Sequence, residues 1–192
     1  MPTKPRCWWC GEDPLYVAYH DQEWGVPLHD DQKLFEMLVL EGFQAGLSWI
    51  TILRKRENFR KAFRGFDPAT IARFTKRDLD RLMNDAGIVR NRLKVEGSVL
   101  NARAYLAILE EGLTFDRFLW QFTGHKTLRR ATATKESLPT RTEESDKMSK
   151  ELLRRGFKFT GTTICYAFMQ AVGMVDDHIE TCWKYRKPLP PR

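Results

Sequence analysis

The chain of 192 residues is 42% hydrophobic and 12% aromatic, enough apolar side chain for a true core in one large domain or two helical lobes sharing a cleft. A formal net charge of +7 and a pI near 9.3 favour a polyanionic partner, nucleic acid over membrane. No apolar run approaches the ~20 residues of a membrane span, and the first residues lack the apolar stretch of a secretion signal.

The expectation is a cytoplasmic protein with no membrane partner. In that compartment Cys7, Cys10, Cys165 and Cys182 serve metal binding or packing rather than disulfides.

Asp13-Pro14 predicts a helix start, with Asp as N-cap and Pro in the first turn. Tyr16, Tyr19 and His20 share a face of that helix. Asp30 caps a helix over about 31–45, and Ser48 caps another running to about Phe63. That second helix turns Trp49, Ile52, Leu53, Phe59 and Phe63 inward, and Arg54, Lys55, Arg56, Arg60 and Lys61 outward. Asp67-Pro68 starts a short helix ending near Phe74. Thr75 and Asp78 form a capping box for the next, which stops at Gly87.

A long helix over about 91–111 carries an apolar stripe of Val95, Val99, Ala102, Leu106 and Leu109. Phe115 to Phe122 is a short aromatic helix, and 123–144 reads as an irregular surface loop. Ser145 caps a helix to Arg155 that stops at Gly156, and a last helix spans about Thr162 to Val172. A turn with His178 and Cys182 follows. The domain covers 1–185, and a proline-rich, disordered tail covers 186–192. No stretch alternates with period two and no repeat is present, so the fold class is all-α.

Three constellations carry chemistry. Glu41 ends the apolar face Leu34, Leu38, Glu41, Ala45, where a carboxylate needs a hydrogen-bonding or charged partner. Gln44-Ala45-Gly46-Leu47 then lacks bulk, allowing close approach, and Trp49 follows. With Trp9, Tyr16, Tyr19 and Trp24 this suits a pocket for a flipped nucleobase, whereas plain core packing with a structural Arg is the bland alternative. His178 and Cys182 are spaced one helical turn apart, which suits zinc. Cys7, Cys10 and His20 offer the remaining ligands. A Cys7–Cys10 knuckle fits as well, as does an unpaired Cys182 with a surface His178. Finally, Leu152 to Thr163 joins two helices through a turn with Gly156 and Gly161 at its ends. The second helix offers free amides and its positive dipole end to an anion, with Arg154, Arg155 and Lys158 nearby; an ordinary helical hairpin is the alternative.

Longer runs now carry a resemblance: DPLYVAYHDQEWGVP (13–27), LEGFQAGLSWIT (40–51), KREN (55–58), NARAYL (101–106) and RGFKFTGTTICY (155–166). Over about residues 6–183 the chain resembles the Tag-type 3-methyladenine DNA glycosylases of the helix–hairpin–helix superfamily. The resemblance implies an all-α fold of two helical lobes around a cleft, with the termini tied by one structural zinc. It puts the zinc ligands on Cys7, His20, His178 and Cys182, leaving Cys10 as an extra cysteine. The catalytic, base-recognising carboxylate falls on Glu41, and the base-binding aromatics on Tyr16, Tyr19 and Trp49 with Trp9 beside them. DNA contacts fall on Gln44, Gly46 and Leu47 of the gap-filling loop, and on Gly156, Lys158, Gly161 and Thr162 of the hairpin. Two departures, Phe43 in place of Gln and Ala167 in place of a small polar residue, flank that surface.

The implied activity is hydrolytic release of 3-methyladenine from alkylated duplex DNA by a monomer without a lyase step. The rival reading is a non-catalytic, zinc-stapled helix–hairpin–helix protein that binds damaged DNA. A third is an RNA-binding or structural helical protein. Base release separates the first from both others.

Overall fold

The computed structural model describes residues 4–129 and 133–187; most of the tail predicted to be disordered lies outside the described residues. Among the described residues nine α-helices form: α1 (Pro14–Gln22), α2 (Asp31–Gln44), α3 (Trp49–Ala62), α4 (Pro68–Ile71), α5 (Lys76–Met83), α6 (Arg92–Glu110), α7 (Phe115–Trp120), α8 (Glu143–Arg154) and α9 (Thr162–Ala171). None of these helices is long and apolar enough to cross a membrane.

The start signals act as expected. Asp13 accepts from the amides of Leu15 and Tyr16, Asp30 from Lys33 and Asp67 from Thr70; Asn91, not singled out by the sequence, likewise accepts from Lys94. Thr75 and Asp78 form the expected capping box. Ser48 precedes α3, but its hydroxyl meets Thr51 Oγ1 at 2.7 Å instead of a backbone amide.

Four expectations need correction. The cap of α8 is Thr142, and Ser145 is the reciprocal partner three residues on, so the helix starts earlier. Helix α5 ends at Met83 rather than Gly87. Gly87 is instead a close-packing point, where an added Cβ would lie 3.1 Å from Asn58 Cβ. On α6 the apolar stripe continues through Tyr105 and Ile108, leaving Leu109 exposed. Arg56 and Arg60 are half-buried in ion pairs with Glu23 and Glu36. The all-α expectation meets one small exception, the parallel pair β1 (Leu128–Arg129) and β2 (Val175–Asp176). Two-residue strands are too short to leave an alternating pattern.

Helix α2 is the axis of the core. Every residue from Leu34 to Phe43 is buried, and α3, α6, α7 and α9 pack against it. A helix this rich in apolar residues on every face must be interior. Phe43, one of the two departures, packs on Phe59 and Phe63 at 4.8 and 5.8 Å between centroids, so it is core and not a DNA contact.

Helices α8 and α9 pack together as a hairpin, and α9 is stitched to the segment after α1. Gly25 N donates to Gln170 O at 3.0 Å and Leu28 N to Val172 O at 3.1 Å. Gly173 makes this possible: at φ +74, an added Cβ would meet the backbone of Val26 and Pro27 at 2.5 Å. Gly173→Ala is therefore expected to cost more than about 2 kcal/mol of stability, combining left-handed strain with overpacking. Urea denaturation checks this; an unchanged midpoint would show that the two segments are not held this closely.

Candidate base pocket and metal centre

A cavity of about 390 Å³ opens between α1, α2, α3 and α9. Its walls include Trp9 from the N-terminal turn, Tyr16 and Tyr19 from α1, Glu41 and Gln44 from α2, and Trp49 from the start of α3. The structure thus gathers the whole predicted base-binding set around Glu41. Trp9 lies 5.0 Å from Tyr16 between centroids and 5.0 Å from Trp24, and Tyr19 lies 5.5 Å from Trp49. Tyr19 and Trp49 therefore touch, and no third ring fits between those two. Ala167, the other departure, lines this pocket rather than the outer surface.

Sequence reasoning missed part of the wall. Lys135, Leu138, Pro139 and Thr140 come from the stretch read as a surface loop, and Trp8 and Gln170 also line the cavity. Pro139 was the only ordering signal in that loop. It cannot say which face of the molecule the loop covers.

The electrostatics centre on Glu41, which is 4% exposed. The partner expected for its carboxylate is absent among the described residues: Oε2 is buried without a hydrogen-bond partner there. Burial disfavours the charged form and pushes the carboxyl up to about 8. Trp49 Nε1 is likewise buried and unpartnered. One carboxyl and one N–H donor in an aromatic cavity, both unsatisfied, await a ligand that supplies the complements.

The loop after α2 exposes Leu47, with Gly46 at φ +80 and open space about its Cα. At the hairpin, Lys158 is exposed and in no ion pair among the described residues. Arg154 and Arg155, predicted to strengthen an anion site, are instead held by carboxylates. Arg154 grips Glu151, and Arg155 reaches Glu111 and Glu151, each at 2.7 Å. The N-cap of α9, Gly161, makes no side-chain cap, and the first intrahelical bond is Cys165 N to Gly161 O. The amides of Thr162 to Ile164 are thus left to a ligand. The Thr162 hydroxyl is turned inward to Asp146 and Ser145, leaving only its amide for that role.

At the other end of the aromatic cluster, Cys7, His20 and Cys182 offer ligand atoms within 4.8 Å of one another. His20 Nε2 lies 3.4 Å from Cys182 Sγ, while its Nδ1 meets Asp21 at 2.8 Å. His178 stands beside this trio, its ring centroid 5.2 Å from that of His20. Asp176 holds its Nδ1 at 2.7 Å, and its Nε2 is buried without a partner. Both histidines thus have Nδ1 fixed by a carboxylate, the arrangement that presents Nε2 to a metal. The Cys7 thiol shares a hydrogen bond with Cys182, which lowers Cys182 and raises Cys7. Cys10 Sγ faces the carbonyls of Cys7 and Gly11 and is not part of the trio. His178 and Cys182 are not on a helical face as expected; turns bring them in, with Cys182 N bonded to Ile179 O at 2.8 Å.

A helical fold with an aromatic, carboxyl-bearing cavity beside a loop and helix end free for phosphate defines a nucleobase-processing protein, and comparison with known proteins narrows the class. The methyladenine glycosylase family profile matches residues 9–185, and the chain belongs to that family. It is 53% identical over 180 residues to DNA-3-methyladenine glycosylase 1 of Escherichia coli K12, covering 94% of this chain and 96% of that one. A crystal structure of a 3-methyladenine DNA glycosylase I superposes with a TM-score of 0.92 at 51% identity, over 94% of this chain and all of that one. Another, a tyrosine-to-phenylalanine variant in complex with 3-methyladenine, has a TM-score of 0.90 at 37% identity, covering 95% and 99%.

The Glu41 carboxyl makes stability depend on pH. Its folded value is raised from 4.5 to about 8, so the unfolded chain gives up this proton first. The stability of the protonated form is fully present below pH 4.5 and is lost as the pH rises to about 8. Across that window Glu41→Gln should gain on the wild type by roughly 1.4 kcal/mol per pH unit. Urea titrations at a series of pH values measure the difference; parallel curves would mean that the carboxyl has a partner in solution.

Proposed function

We propose that this protein flips 3-methyladenine out of duplex DNA into the aromatic cavity and hydrolyses its N-glycosidic bond, with no lyase step. The observation that carries the reading is the pair of unsatisfied groups, Glu41 Oε2 and Trp49 Nε1, in an aromatic cavity of about 390 Å³. Membership of the methyladenine glycosylase family and the base-bound relative support it.

The alkylated base in DNA is cationic, so bond cleavage returns electrons to a ring that wants them, and water takes its place at the sugar carbon. Little acid catalysis is required. The protein's tasks are to extract the base, select it and stabilise its charge. The exocyclic amine of adenine donates to Glu41, and a positive ring beside the carboxyl favours its ionised form. A neutral base offers no such gain against the cost of burying the charge. Trp49 and Tyr16 supply π faces for the cation, since Tyr19 is already in contact with Trp49. Gln44, Gly46 and Leu47 enter the space the base leaves. The amides from Gly161 onward, with Lys158 and the backbone of Gly156, hold the phosphates in the manner of a helix–hairpin–helix.

The four residues Cys7, His20, His178 and Cys182 fit one zinc ion. The buried, unpartnered His178 Nε2 and the carboxylates on both Nδ1 atoms support this. A closed set of two thiolates and two imidazoles leaves no site for substrate, so the ion is structural and ties the chain ends. Cys7→Ser and Cys182→Ser should each lower metal content and melting temperature together, by elemental analysis and thermal unfolding. A metal-free wild type with unchanged stability and activity would count against the site.

Incubation with methylated duplex and chromatographic detection of free base tests the activity. Glu41→Gln should release 3-methyladenine more slowly than wild type, and Glu41→Ala more slowly still, with affinity for undamaged duplex little changed. Tight binding of methylated duplex with no release by the wild type would favour the non-catalytic alternative. Lys158→Ala should weaken duplex binding and reduce the slope of log affinity against log salt by about 0.9, one phosphate contact. An unaltered slope would place the phosphates elsewhere.

A further inference from the structure

Lys94, in the first turn of α6, is 7% exposed and its Nζ has no carboxylate partner among the described residues. The ammonium donates instead to Phe43 O at 2.8 Å and Ala45 O at 2.7 Å. Those carbonyls lie at the C-terminal end of α2, where the helix dipole is negative and the last carbonyls lack intrahelical donors. The C-cap, Ala45, is extended at φ −45 and ψ 117, and Gly46 at φ +80 makes only a tight turn in which Leu47 N bonds Gln44 O at 2.6 Å. A buried cation therefore does the work that a Schellman turn does elsewhere.

What it fixes matters. Glu41 lies one turn back along α2, and Gly46 and Leu47 follow directly. Farther along the same face of α6, the hairpin is seated. An added Cβ on Gly97 would come within 3.0 Å of the Phe159 ring and 3.2 Å of Lys158 Cβ. Asn101 then brackets Lys158, accepting its amide at 2.7 Å and donating to its carbonyl at 3.1 Å. Phe159 closes the triangle, because an added Cβ on Gly42 would lie 3.1 Å from its Cβ. Lys94, Gly97 and Asn101 are spaced i, i+3 and i+7, one face of one helix.

We propose that this face of α6 is a rigid gauge between the two DNA-contacting elements, and that Lys94 is a positioning residue that sets the gap-filling loop against the phosphate-binding hairpin. The inference rests on the glycosylase reading for its consequence, though not for its geometry. A gap-filling loop that shifts relative to a fixed phosphate grip fills the vacated space less well, so extrusion suffers while the cavity itself is spared. A misplacement of about 1 Å can cost on the order of a hundredfold in rate.

The test compares wild type with Lys94→Met, which keeps the aliphatic stem and removes the donors. Amide exchange at Leu47, whose N–H bonds Gln44 O at 2.6 Å, should quicken by about tenfold. Single-turnover release from methylated duplex should fall roughly tenfold to a hundredfold. Affinity for free 3-methyladenine, read by tryptophan fluorescence, should stay within about threefold of wild type. Lys94→Gln, which retains one donor, serves if the methionine variant does not fold, with the same split at smaller amplitude. Unchanged exchange at Leu47 overturns the gauge whatever the release rate. Parallel loss of free-base binding and release also overturns it, because Lys94 would then be supporting the pocket as a whole. A wild type that releases no base sinks the glycosylase reading alone and leaves the exchange test standing.

Discussion

Everything in the pocket depends on one buried carboxyl at the end of a helix that is interior along nearly its full length. Helix α2 is covered by α3, α6, α7 and α9, so it has little freedom to shift or rotate without opening the core. Glu41 inherits that rigidity. Burial without a partner is costly, and proteins rarely leave such a group in place unless something outside the chain completes it. The raised proton affinity of Glu41 follows directly from that arrangement.

Rigidity reaches the cavity from the opposite side by another route. His178 lies 4.7 Å from Trp24 between centroids, Trp24 lies 5.0 Å from Trp9, and Trp9 lies 5.0 Å from Tyr16. A continuous chain of rings thus runs from the Cys7–His20–Cys182 trio to the cavity wall. Whatever orders the chain ends also orders the aromatic faces, because aromatic rings in contact move together or not at all. The close approach of Gly173, just after α9, to Val26 and Pro27 fixes the same wall. The cavity is thus held between a buried helix and a packed row of rings.

Much of this was legible in the sequence. Asp13-Pro14, Asp30, Asp67-Pro68 and Thr75 with Asp78 each announced a helix start, because a cap involves only a side chain and an amide within three residues. Apolar spacing marked α2 as interior, and Glu41 was conspicuous as an acid on that face. The errors were local competitions that sequence could not arbitrate. Thr142 and Ser145 are both good caps, and Gly87 could end a helix or admit Asn58. Likewise, Arg154 and Arg155 looked free for phosphate until Glu111 and Glu151 were found beside them.

The sequence by itself determined the helical class, most helix starts, the family and the identity of the pocket carboxyl and aromatics. These are set by interactions within one or two turns or by long runs of matching residues. The tertiary structure alone decided that Glu41 Oε2 has no partner among the described residues, that 135–140 walls the cavity, that Phe43 is core, and that Lys94 caps a helix 51 residues away. Those outcomes depend on how separate elements pack in space. A pairing between distant segments is chosen by the whole core at once, and no short window of sequence contains it.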